Sequence, residues 1–144
     1  MICIFKSFIF IAILIAGIIS NCQAASITYD KDPKSGDGRI FIKGEIEDGD
    51  AVELKKLIAK FDRATVFLDS PGGSIGPAIQ IGKLIHALGY MTAVNDTDCA
   101  SACSLIWLAG SFKFLTQDAK VGFHLPATYE TDKKTESNIA ATYV

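Results

Sequence analysis

Basic residues do not outnumber acidic ones in this sequence: 14 Lys and Arg stand against 16 Asp and Glu, a formal net charge of −2. No basic stripe invites nucleic acid, so no nucleic-acid partner is expected. Histidine is scarcer, with two residues, His86 and His124. The one glycine pair is not followed by Lys-Ser or Lys-Thr, which excludes a Walker loop, and no segment has the spacing of a dinucleotide fingerprint. No cofactor and no metal site are expected. Internal repeats and low-complexity blocks are missing too, and the 144 residues suffice for one domain.

Charge is absent from residues 8–19 (FIFIAILIAGII), which follow a short start bearing Lys6 and precede Ser20-Asn21-Cys22-Gln23-Ala24. This layout predicts a secretory signal over residues 1–24, cut between Ala24 and Ala25, with Cys22 and Ala24 as the small residues that a signal peptidase accepts. The alternative is an uncleaved anchor, because the apolar run extended by its neighbours approaches the roughly 20 residues that span a bilayer. Membrane association is expected only through that segment. Asn21 argues against a lipoprotein cut before Cys22. Cleavage leaves 13 basic and 16 acidic side chains, and leaves Cys99 and Cys103 as an even pair in an oxidising compartment, periplasmic or extracellular.

The polar stretch at residues 29–38 (YDKDPKSGDG) reads as a loop, so residues 25–38 are expected to be a linker and the domain to start near Arg39. Residues 39–46 (RIFIKGEI) read as a strand and residues 50–61 (DAVELKKLIAKF) as a helix, from apolar positions three and four apart. The unit recurs: strand 65–68, helix 74–88 closed by Gly89, strand 90–94, apolar helix 101–109 closed by Gly110, and short strands at 113–115 and 120–123. Alternation at these lengths predicts an α/β domain with mainly parallel strands. Beyond Pro126 the sequence turns polar.

Three motifs have chemical potential. Asp69-Ser70-Pro71-Gly72-Gly73-Ser74 joins a strand to a helix. Adjacent glycines let the backbone approach a ligand, and unpaired N–H groups at a helix start stabilise an anion; the blander reading is a tight turn with Ser74 as N-cap. Asp98-Cys99-Ala100-Ser101-Ala102-Cys103 opens an apolar helix. Ser101 there is either an exposed nucleophile, with the N–H of Ala102 aimed at the same reacting atom, or a capping serine. In Val121-Gly122-Phe123-His124-Leu125-Pro126 a histidine ends an apolar strand, where a neutral imidazole can take a serine proton or can be merely structural. His86 lies within a helix and reads as a surface or packing residue. Cys99 and Cys103, four apart, suit either a disulfide at the rim around Ser101 or two small buried thiols.

Together and in this order, IFIKGEI, LDSPGG, CASAC and FHLP make residues 38–126 resemble the Clp protease proteolytic subunit and its crotonase-fold relatives, with cysteines flanking the serine as in a secreted ClpP-like branch. The resemblance implies an α/β ClpP/crotonase-like fold, Ser101 as nucleophile, His124 as general base, and the N–H groups of Gly72 or Gly73 and of Ala102 as the oxyanion hole. It also implies peptide or unfolded-protein substrates and a homo-oligomer for a full-length subunit. Outside the cytoplasm a Clp-type ATPase partner is not expected. The family normally has small residues where Cys99 and Cys103 stand. Its triad acid and an oligomer-forming helix lie well beyond the histidine, whereas 20 residues follow His124 here. Asp98, Asp118 and Glu130 do not match the position of that acid. The expectation is therefore a partial ClpP/crotonase-like domain over 39–144 with an incomplete Ser/His acyl-transfer site, a poor hydrolase or none, or, alternatively, a non-catalytic exported or anchored binding domain.

Overall fold

A computed structural model describes residues 24–124 and 142–143. The apolar segment at 8–19 and the polar segment after Pro126 lie outside the described residues. Among the described residues, strands and helices follow one another as β1 (Ser26–Lys31), β2 (Gly38–Lys43), α1 (Asp50–Ile58), β3 (Ala64–Asp69), α2 (Ile75–Ala87), β4 (Met91–Val94), β5 (Asp98–Ala100), α3 (Ala102–Leu108), β6 (Lys113–Leu115), β7 (Lys120–Phe123) and β8 (Thr142–Tyr143). They form a five-stranded sheet in the order β1-β2-β3-β4-β6 and a three-stranded sheet in the order β5-β7-β8. β1 pairs antiparallel with β2 and β8 antiparallel with β7, and every other ladder is parallel, as the strand-helix alternation predicts.

Alternation within the strands decides which face is covered. In β2, Ile40 and Ile42 are buried while Arg39 and Phe41 lie on the opposite face; in β3, Ala64, Val66 and Leu68 are buried and Thr65 and Phe67 are not. The register sets Phe41 opposite Phe67, and their rings stack 5.1 Å apart on the open face. The helices cover the other face. α1 contributes Ala51 and Leu54, α2 contributes Ala78, Ile81 and Ile85, and α3 contributes Ile106, all at helical spacing. The buried Asp50 carboxylate accepts the Glu47 N–H at 2.8 Å, which fixes the entry into α1.

The expected linker over 25–38 is corrected in its first half. Residues 26–31 pair with β2 from Ser26↔Lys43 to Lys31↔Gly38. Among them Ile27 alone is buried, so the side-chain pattern carries little strand signal and the backbone ladder decides. An Arg39–Asp30 pair at 2.6 Å supports that ladder at its surface. The turn that follows is built as its composition suggests: the Asp32 carboxylate accepts the N–H groups of Ser35 and Lys34, which hold its pKa below the ordinary value, and Gly36 has φ 76. The triplet 98–100 also forms a strand that periodicity did not reveal, since three residues are too few to show a period.

Tyr90 ties the end of α1 to the sheet. Its ring is 1% exposed, and its hydroxyl donates to the Ile58 and Phe61 carbonyls at 3.0 and 2.5 Å. Tyr90→Phe is expected to cost about 1–2 kcal/mol in denaturant unfolding, because the Phe61 carbonyl loses the hydroxyl and the Ile58 carbonyl keeps only the Phe61 N–H at 3.3 Å. Burial, and then the Asp62 charge, raise the phenol pKa above 10.0. A raised folded-state value means that the stabilisation is complete below the unfolded value and is lost as pH rises through the folded one. The Phe variant should therefore lose less stability than the parent on the alkaline side of 10.0.

Candidate active site

The three motifs meet because each ends a parallel strand. The glycine turn follows β3, Ser101 follows β5, and His124 follows β7. Parallel strands bring their carboxyl ends to the same edge, where loops diverge and a crevice opens. The ladder Asp98↔Lys120, Cys99↔Val121, Ala100↔Gly122 sets the second and third motifs side by side. The bridge Ser70↔Cys99, with Ser70 N–H donating to Asp98 O at 2.9 Å and Ala100 N–H to Ser70 O at 3.0 Å, ties the glycine turn to both.

Ser101 does not cap α3 in the ordinary way. Its φ of 56 and ψ of −122 lie outside the regions that L-residues favour, and its side chain makes no cap hydrogen bond. Its N–H donates to Gly122 O at 2.9 Å, and its carbonyl accepts the Ser104 N–H at 3.0 Å and the Ser104 hydroxyl at 2.6 Å. Ser104 is 1% exposed, so this second bond is sheltered from water. Such a backbone costs on the order of 1–3 kcal/mol and persists only where its surroundings hold it. The capping alternative for Ser101 is therefore set aside in favour of a strained elbow.

Gly72 lies directly against that elbow. A Cβ on it would stand 2.7 Å from both Ala100 O and Ser101 Cβ and 3.1 Å from Ala102 N, and its φ is 109. Glycine is required here on both counts. The two glycines do not play the same part. Gly72 N–H donates to the hydroxyl of buried Ser70 at 3.1 Å, while its carbonyl accepts the Ile46 N–H at 2.7 Å. Among the described residues no hydrogen bond takes the N–H of Gly73 or of Ala102. Gly73 and Ala102 are thus the pair with donors to spare, and Gly72 contributes closeness.

Cys99 and Cys103 are joined in a disulfide with Cα atoms 5.2 Å apart, and both are fully buried. His124 is exposed at the end of β7. His86 is exposed in the last turn of α2, on an element that contributes nothing to this edge. The residues that motif reading passed over are Ser70 and Ser104. Neither stands out as a type, although Ser70 opens the Pro-Gly-Gly turn and Ser104 sits three residues after Ser101. A cavity of about 430 Å³ lined by Arg39, Phe41, Phe67, Asp69 and Asn95 opens on the uncovered sheet face and does not include Ser101. Among the described residues no group of three or more His, Cys, Asp or Glu is placed to hold a metal ion, and no helix is long and apolar enough to cross a membrane.

No family model matches the chain, and no curated protein sequence does. Solved structures do. A ClpP1 variant from Listeria monocytogenes superposes with a TM-score of 0.56 at 24% identity, covering 62% of this chain and 57% of its own. A variant of 1510-N, described as a membrane-bound stomatin-specific protease, gives a TM-score of 0.50 at 19% identity, covering 57% of this chain and 44% of its own. The chain thus spans less than two thirds of the length of either. At these identities the likeness speaks for architecture, and it agrees with the parallel strands and the edge-sited motifs: this chain has a ClpP-like α/β fold.

Proposed function

We propose that this protein is an exported, ClpP-like serine hydrolase that acts on peptides by acyl transfer through Ser101. The observation that carries the reading is the strained Ser101 elbow at the carboxyl end of β5, pressed by the Gly72 turn and flanked by β7. In the reaction, His124 takes the Ser101 proton as Oγ attacks the carbonyl. The N–H groups of Gly73 and Ala102 stabilise the oxyanion, and His124 returns the proton to the departing amine. Water then hydrolyses the acyl-enzyme with His124 again as base. No cofactor enters.

Export rests on the Lys6 start, the apolar run and the Cys22-Gln23-Ala24 site. In such a compartment no ATP drives unfolding, so accessible or unfolded chains are the fitting substrates, and assembly with further copies fits the likeness to ClpP1. Acylation of Ser101 precedes hydrolysis of the acyl-enzyme, so it is the step tested first. The test follows that order. A fluorophosphonate probe is expected to label the folded chain at Ser101, read by mass spectrometry of peptides, and to leave Ser101→Ala unlabelled. A folded parent that takes no probe would instead favour a binding domain that keeps the fold without the chemistry.

A further inference from the structure

The Ser101 elbow holds an unfavourable backbone at a cost on the order of 1–3 kcal/mol. Its unfavourable backbone is held by one N–H bond to Gly122 O, by two bonds from Ser104 and by the contact with Gly72. Every one of these can be exchanged for an ordinary alternative if the chain pivots at residue 101. Ser101 can then adopt extended backbone and cap α3, as serines before apolar helices commonly do. α3 has seven residues, too few to hold its first turn by cooperativity alone.

The disulfide blocks that pivot. It leaves from Cys99, which is paired with Val121 in β5 and bridged to Ser70, and arrives at Cys103 in the first turn of α3. Ser101 lies midway, so the bridge spans the residue whose backbone is strained. Both half-cystines are 0% exposed and belong to the core that includes Ile106 and Val121. The loop closed is very short, so the constraint on the unfolded chain is small and the effect is local.

We propose that the Cys99–Cys103 disulfide is a positioning device for the nucleophile: closed, it holds Ser101 in the elbow; open, it lets the elbow relax. The labelling arm of its test rests on the serine-hydrolase reading, and the exchange arm does not. The Cys99→Ala/Cys103→Ala variant is compared with the oxidised parent and with parent treated with a phosphine under mild urea. The phosphine attacks one sulfur and breaks the S–S bond, and water supplies the oxygen of the phosphine oxide and the two protons, so the sulfurs are reduced by two electrons to two thiols. The rate of fluorophosphonate labelling is measured, together with hydrogen exchange at residues 100–106 and in β2 and β3.

Opening the bridge is expected to slow labelling by at least about tenfold and to lower protection at 100–106 by a similar factor, the scale of one strained residue released. Protection in β2 and β3 should hold. If the parent takes no probe while its 100–106 amides respond, the hydrolase reading fails and the positioning role stands. Unchanged protection at 100–106, with labelling rates within about twofold where the probe reacts, would overturn the proposal. So would loss of protection throughout β2 and β3 in both opened forms, since the bridge would then be a general staple. The phosphine-treated parent keeps every side chain, so a folding defect of the alanine pair alone does not obscure the result.

Discussion

Replacing His124 by alanine is expected to slow fluorophosphonate labelling of Ser101 by about 10²- to 10⁴-fold, the range that a positioned general base contributes. The imidazole is exposed at the carboxyl end of β7, beyond the core residue Val121, so unfolding free energy should stay within about 0.5 kcal/mol of the parent. That contrast separates a base from a packing residue. The backbone of β7 still accepts the Ser101 N–H at Gly122 O in the variant, so the elbow keeps its support and the loss falls on proton transfer. Added imidazole is expected to restore part of the rate, because a small base can occupy the space left open. His86→Ala, on the exposed side of α2, should leave labelling unchanged. An unaltered rate in His124→Ala would defeat the assignment of His124 as base.

Gly73→Ala is expected to destabilise the fold by about 3 to 5 kcal/mol, the sum of a strained backbone and an overpacked contact. The φ of Gly73 is 131, which an alanine cannot adopt without strain. Its Cβ would stand 2.3 Å from Ile46 O and 2.7 Å from Ile46 N. Those are backbone atoms, and they sit in the bridge in which Ile46 N–H donates to Gly72 O and Ser74 N–H donates to Ile46 O, both at 2.7 Å. No side-chain rotation relieves the clash, so the turn or the 45–47 segment must move. Urea unfolding with a lowered midpoint and an unchanged slope is the expected signature. Gly36→Ala provides the contrast: its φ is also positive, but nothing lies within 4 Å of the added Cβ, so its cost should be confined to the backbone strain. Equal losses in the two variants would show that the close approach at Gly73 adds nothing.

Much of the architecture was legible because its signals are local. Alternating burial in Gly38–Lys43 and Ala64–Asp69, and three-four spacing in Asp50–Ile58 and Ile75–Ala87, are consequences of side-chain direction in strands and helices. A reader of the chain can find them without knowing what lies across the sheet. The glycine turn and the His124 motif were legible because each sits where a strand period stops, and the Ser101 motif because it opens an apolar helix. β1 was hidden, because an edge strand with one buried side chain is held by its backbone ladder to β2, and that ladder leaves little trace in residue types.

The site divides along the same line. Residue types alone singled out Ser101, His124, the glycine pair and the two cysteines, since few other side chains combine those chemistries with strand ends. They could not say which glycine keeps a donor. That depends on Ser70, whose hydroxyl takes the Gly72 N–H, and Ser70 is held by pairing with residues 98–100, far along the chain. Nor could they show that Ser101 adopts φ 56, since local preference favours a cap and only the surrounding contacts impose the elbow. The sequence by itself determined most of the order of elements and singled out the candidate groups, because periodicity and residue chemistry are properties of neighbours. The tertiary structure decided the conformation of Ser101 and which backbone donors stay open, because an N–H is left open or taken by partners that only folding brings within reach.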